Sequence, residues 1–218
     1  MKHTEKELLA IKEEVSQMWK LVLSQLEKAK QAFVSNDIET AREIASREKR
    51  VDSFELKIDC DCENYIALYS PVAVDLRLIL SLIKICVTLE RIADFCDGIA
   101  RHIIKEDLKG LEVELFEELQ VEKMFNIVIS MLSDNFVMLE SENTNMSGKI
   151  LSKDDEMDTL YHNSVDILTN YLHKKPEHIR GGLKMILLIR KLERIGDHCS
   201  NIVEEIVFYV DAKVLKHL

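Results

Sequence analysis

Four pairs of acidic residues spaced i, i+4 are the part of this 218-residue chain best placed to do chemistry: Glu48 with Asp52, Glu90 with Asp94, Asp154 with Asp158, and Glu193 with Asp197. On a helix this spacing stacks two carboxylates one turn apart on the same face. Two carboxylates ~4 Å apart repel by ~4 kcal/mol at an effective dielectric of 20, and four together repel more strongly. A divalent cation cancels that cost, and an all-carboxylate site suits Mg²⁺, Mn²⁺, Ca²⁺ or iron. The competing explanation is ordinary surface ion pairing of Glu90, Asp94, Glu193 and Asp197 with Arg91, Arg194, Arg190, Lys84 or Lys191, each pair worth only ~0.5 kcal/mol.

An internal repeat favours the metal. Leu89-Glu90-Arg91-Ile92-Ala93-Asp94 returns 103 residues later as Leu192-Glu193-Arg194-Ile195-Gly196-Asp197, with five of six positions identical. Pro71 and Pro176 are 105 residues apart, and Glu48 and Asp52 precede Asp154 and Asp158 by 106, so the repeat extends well beyond the hexapeptide. From Asp52 to Pro71 is 19 residues, as it is from Pro71 to Glu90, and the corresponding separations in the second half are 18 and 17. If consecutive helices turn back at each proline, the two acidic pairs of a half meet side by side at one height. Each half then presents a patch of four carboxylates.

The elements that must position these acids are long helices. With two prolines and six glycines the chain has few breaks, and its common residues are good helix formers; strand patterning is absent. The pattern predicts helices from Thr4 to Phe33, Asp37 to Tyr69, Val72 to Ile104, Leu111 to Glu142, Ser152 to His173, and Glu177 to Lys213, with turns at Asn36-Asp37, Ser70-Pro71, Asn143 to Lys149 and Lys174-Lys175-Pro176. Helices of ~30 residues, ~45 Å long, are typical of antiparallel bundles. The expected fold is all-α, two tandem three-helix bundles, residues 1–106 and 107–218, with Gly196 allowing close helix contact.

Composition excludes several classes. An apolar fraction of 47% with 31% charged residues describes a soluble globular protein, and a net charge of −10 without a basic stripe argues against nucleic acid. No apolar run approaches the ~18 residues of a membrane span, and the first twenty residues are charged rather than signal-like, so the cytoplasm is the expected location. The five cysteines lack metal-binding or disulfide spacing; Cys96 and Cys199 occupy equivalent repeat positions, as packing residues would. His162 lies four residues after Asp158 and has the spacing to reach its patch. His198 directly follows Asp197 and points ~100° away from it. Both histidines are expected on the surface. Asn201, four beyond Asp197, extends the acidic face, and its first-half equivalent is Gly98.

The string Pro71-Val72-Ala73-Val74-Asp75-Leu76-Arg77, the Leu89–Asp94 motif, and Leu192-Glu193-Arg194-Ile195-Gly196-Asp197-His198 with Asn201 resemble the PhoU family over nearly the whole chain. The resemblance implies a pair of three-helix bundles with metal ions on Glu48, Asp52, Glu90 and Asp94 and on Asp154, Asp158, Glu193 and Asp197, and no catalytic turnover. Iron, Mn, Mg and Zn are the candidate metals. It further implies a cytoplasmic negative regulator of phosphate uptake and phosphate-starvation signalling. The expected partners are the ATPase subunit of the phosphate ABC transporter and a phosphate-sensing histidine kinase, through which the protein reaches the inner membrane; a homodimer is compatible. Gly98 for Asn201, and Gly181-Gly182 for the Asp75-Leu76-Arg77 segment, depart from the repeat. Two alternatives are a carboxylate-bridged metalloenzyme and a metal-free helical interaction scaffold. The enzyme is disfavoured because no histidine stands three residues after a Glu, as helical di-iron sites require.

Overall fold

The computed structural model describes residues 3–105 and 108–215, with Glu48 placed by its backbone alone. Among these residues the regular structure is helical throughout: α1 His3–Ser35, α2 Ile38–Ser46, α3 Glu48–Tyr69 and α4 Ala73–Ile104, then α5 Val113–Glu118, α6 Val121–Ser141, α7 Ser147–Lys174 and α8 Ile179–Asp211. A single 3₁₀ turn at Pro176–His178 leads into α8. The all-α, duplicated three-helix architecture is as expected: α1, α2–α3 and α4 build one bundle, and α5–α6, α7 and α8 the other.

Local chemistry sets the breaks. Asn36 adopts a left-handed conformation (φ 50°) that ends α1, and Asp37 caps α2, its Oδ1 accepting from the backbone N–H groups of Glu39 and Thr40 at 3.0 and 3.1 Å. Ser70, also left-handed, and Pro71 end α3. Helix α8 runs unbroken through Gly181-Gly182.

Two expected helices are each divided. The helix expected from Asp37 to Tyr69 breaks at Arg47, and the one from Leu111 to Glu142 breaks at Leu119-Gln120, where Gln120 has φ 52°. At Leu119-Gln120 the reason is a change in the phase of the apolar stripe. Leu115 and Leu119 before the break and Val121, Met124, Phe125 and Val128 after it are all buried, yet one continuous helix would place the two sets on different faces. That break re-aims both segments at the core. At Arg47 the stripe keeps its phase, because Ile44, Val51 and Ile58 recur every seven residues and share one face, and the apolar pattern does not account for the break. The start of α7 also differs, at Ser147 rather than Ser152, because Gly148 lies inside the helix and the preceding turn is shorter.

The bundles join along α4 and α8, which form the most extensive helix contact, with α1 against α6 beside it. α4 and α8 run antiparallel: Arg77 Nε donates to the Tyr209 carbonyl at 3.2 Å, Ser81 Oγ to the Glu205 carbonyl at 3.0 Å, and farther along Phe95 meets His198. Phe95 and His198 occupy the same repeat position. Their rings stack at 5.6 Å and 28°, so the pseudo-two-fold relation between the halves passes close to this pair. Trp19 ties α1 to α6, its Nε1 donating to the Leu132 carbonyl at 3.1 Å, and the buried side chains of both halves form one continuous core.

Candidate metal centres

α4 and α8 each carry one acidic pair of a patch, and α3 and α7 carry the other. The proline turn between the helices of each half brings the pairs to a common height. The second patch is the tighter. One carboxylate oxygen from each of Asp158, Glu193 and Asp197 lies within 4.8 Å of the other two. Asp154 completes the group from a more buried position. Ser200 Oγ donates to its Oδ2 at 2.6 Å, and its Oδ1 is buried without a hydrogen-bond partner. Glu193 Oε2 is likewise buried and unpartnered.

Gly196 makes this arrangement sterically feasible. A Cβ at position 196 would stand 2.8 Å from Asp154 Oδ1, closer than atoms pack, so the expected close helix contact is made by a carboxylate rather than by backbone. Burial raises the pKa of Asp154 above the ordinary carboxylate value, the hydrogen bond from Ser200 opposes the shift, and Asp197, Asp158 and Asp155 add to it. Glu193 is raised by burial first and then by Asp197 and Asp158, against the weaker influence of Arg194 and Arg190.

The first patch is looser. Glu90 is half-buried on α4 and its pKa is pushed up to about 7, chiefly by burial, then by Asp94, Glu55 and Asp52, with Arg91 opposing. Asp52 and Asp94 therefore converge on Glu90 as the repeat predicts. The Glu48 side chain lies outside the described structure. Glu55 joins the group instead, its own pKa raised by burial and by Asp59, Asp52 and Asp94. The repeat concealed this residue, because its second-half counterpart is Tyr161; its i, i+3 relation to Asp52 was the available signal. Ser200 was likewise missed.

Ion pairing does not account for the acids. Among the described residues no Lys or Arg is within ion-pair distance of Glu90, Asp94, Asp158 or Glu193, and Lys84 pairs with Glu205 at 2.9 Å instead. Arg194 approaches Asp197 only to 3.9 Å. Partly exposed carboxylates pressed together, two of whose oxygens are buried and unpartnered, are a donor set suited to hard metal ions.

The histidines fall differently. His162 is exposed, with its Nδ1 on the Asp158 carbonyl at 2.7 Å. His198, expected on the surface, is buried at the α4–α8 seam, where it stacks on Phe95. Its location follows from the long-range pairing of the two bundles, which local periodicity does not reveal. Four of the five cysteines are buried and all are free; burial pushes the Cys62 thiol up to about 12.

A family model described as the PhoU domain matches residues 15–103 and again 121–206. The chain belongs to the PhoU family. The two matched segments each contain one acidic patch. Among PhoU relatives, the phosphate-specific transport system accessory protein PhoU homolog of Aquifex aeolicus (strain VF5) is 33% identical over 212 residues, 97% of this chain and 95% of its own. The Escherichia coli (strain K12) phosphate-specific transport system accessory protein PhoU is 30% identical over 97% of this chain and 87% of its own. The crystal structure of PhoU from Pseudomonas aeruginosa superposes with a TM-score of 0.90 at 27% identity, covering 96% of this chain and 99% of that one. The phosphate transport system regulatory protein PhoU from Streptococcus pneumoniae gives 0.85 at 25% identity, covering 99% and 100%. No described helix is long and apolar enough to cross a membrane.

Proposed function

We propose that this PhoU-family protein is a cytoplasmic regulator of phosphate uptake whose two carboxylate patches carry metal ions. It restrains the phosphate ABC transporter through its ATPase subunit and damps phosphate-starvation signalling through a sensor histidine kinase. The relatives' names, which describe accessory and regulatory proteins of phosphate transport, support the physiological part. The observation that carries the metal part is the convergence of Asp158, Glu193 and Asp197 beside the unpartnered oxygens of Asp154 and Glu193.

Asp154, Asp158, Glu193 and Asp197 would hold metal in the second patch, and Asp52, Glu55, Glu90 and Asp94, with Glu48, in the first. Iron, Mn, Mg and Zn are the candidates. A bound cation supplies charge neutralisation and a Lewis-acidic face able to accept a partner carboxylate, a phosphate or solvent. The side chains fix its position, and the role is recognition rather than turnover.

The test of the metal is elemental analysis of the gently purified wild type beside a Glu193→Ala/Asp197→Ala variant. Loss of metal with helicity intact is expected; unchanged metal content would remove these ligands. Deletion in the source organism tests the regulatory role. Derepressed phosphate uptake and phosphatase expression at high phosphate are expected, and unaltered levels would refute it.

A further inference from the structure

The seam between the bundles carries a second charged feature, of opposite sign to the acidic patches. A pocket of about 380 Å³ opens between α4 and α8, lined by Phe95, His102, Leu187, Arg190, Lys191 and Arg194. Among the described residues its lining is basic and holds no acid, on a chain of net charge −10. Phe95 organises it. Lys191 Nζ lies 6.0 Å from the Phe95 ring centroid and the Arg194 guanidinium carbon 5.9 Å, so one ring draws two cations together.

Gly98 gives Lys191 its place. A Cβ at 98 would stand 2.8 Å from Lys191 Nζ, and the absence of a side chain there lets the lysine lie across α4. Among the described residues no carboxylate is within ion-pair distance of Arg190 or Lys191, and the Arg194 approach to Asp197 is long at 3.9 Å. Beneath Phe95, the buried His198 has both ring nitrogens without a hydrogen-bond partner. The basic charge is not inherited from the repeat, because Arg190 and Lys191 correspond to Val87 and Thr88 in the first half.

The geometry points to a binding site for a phosphoryl oxyanion at the α4–α8 seam, held by Arg190, Lys191 and Arg194 over the Phe95 ring. Three permanent cations in one concave site call for more than a monoanion. A phosphate dianion or a phosphate ester supplies the charge and the acceptor oxygens that guanidinium groups bind bidentately. Inorganic phosphate would use the cations alone, whereas an ester would also lay its organic part on Phe95 and Leu187. The site adjoins the second carboxylate patch through Arg194, 3.9 Å from Asp197, and its cations are present whether or not that patch holds metal.

The experiment is equilibrium dialysis of the full-length, metal-stripped protein at fixed ionic strength against labelled orthophosphate and, separately, labelled AMP. Saturable binding of one anion per chain is expected, weakened at least tenfold in Arg190→Ala/Lys191→Ala. Gly98→Ala, which retains every charge but displaces Lys191, should weaken binding several-fold with the circular dichroism unchanged. Lys84→Ala, which removes a cation paired to Glu205 outside the pocket, should leave it intact. Preference for orthophosphate identifies the free ion as the ligand source, and preference for AMP an ester; either supports the site. Absence of saturable binding of both probes, or equal weakening by Lys84→Ala, overturns it.

Discussion

Ser200 holds one oxygen of Asp154 at 2.6 Å and leaves the other buried without a partner, facing the space that Gly196 keeps open. The hydroxyl thus fixes the rotation of the most buried acid of the second patch. Removing a partner that orients a metal ligand commonly costs 10–100-fold in affinity. Ser200→Ala should therefore weaken metal binding at this patch about tenfold, measured by competition with a chelating indicator. Gly196→Ala should weaken it too, by displacing the carboxylate, while the metal-free melting temperature holds or rises because alanine is the better helix former by ~1 kcal/mol. A glycine needed only for folding would show the reverse, an unstable protein with normal affinity.

The crowding of Asp158, Glu193 and Asp197 makes a second prediction, about metal removal. Without a cation the three carboxylates repel one another, so Glu193→Gln should stabilise the metal-free protein by about 1 kcal/mol, raising its melting temperature by roughly 2–4 °C for a chain of this size. In the presence of a metal that binds the wild type, the order should invert, because the variant loses a ligand and with it the stabilisation that binding confers. Thermal melts of both proteins with and without metal read this crossing directly.

How far such a site is legible in a sequence depends on which contacts are local. The i, i+4 acidic pairs and their distances from Pro71 and Pro176 are properties of single helices and one turn, and the structure brings Asp52 to Glu90 and Asp158 to Glu193 at those heights. Ser200 and Glu55 escaped because they count only through a neighbouring helix. The breaks at Arg47 and Gln120 carry no proline or glycine. At Gln120 the trace is a phase change in the apolar stripe, visible once the buried face is known; at Arg47 the stripe stays in phase and leaves no such trace. His198 was misplaced for a related reason: its burial depends on Phe95 of α4 in the other bundle, 103 residues away in the chain.

Trp19, the lone tryptophan, reports whether the two bundles unfold together. It belongs to α1, yet its Nε1 donates to the Leu132 carbonyl on α6 and its ring packs against Phe136 at 5.6 Å. Because the buried side chains of both halves form one core, fluorescence and far-ultraviolet circular dichroism should lose their native signals in a single coincident transition. Trp19→Phe removes the indole hydrogen bond to the Leu132 carbonyl, which keeps its helical partner, and leaves a void, together costing about 2–3 kcal/mol. Two separated transitions in the wild type would show that the bundles melt independently.

The stability of the metal-free protein should depend on pH in two opposed ways, separable by substitution. Glu90 has a pKa of about 7 in the folded state against 4.5 when unperturbed, so the folded form binds its proton more tightly. Its contribution is favourable below pH 4.5 and is lost as pH rises to about 7. His198 runs the other way. Burial, with Arg194 and Arg91, lowers its pKa from 6.5 to about 4, so the folded form favours the neutral ring, and stability is lost as pH falls from 6.5 towards 4. In the wild type the two slopes partly cancel between pH 4.5 and 6.5. Glu90→Gln removes the first slope, so urea unfolding of that variant should show stability rising with pH across this window. His198→Gln removes the second, and the same measurement should show stability falling with pH. Identical profiles for the two variants would mean that neither group's ionisation is linked to folding in this window.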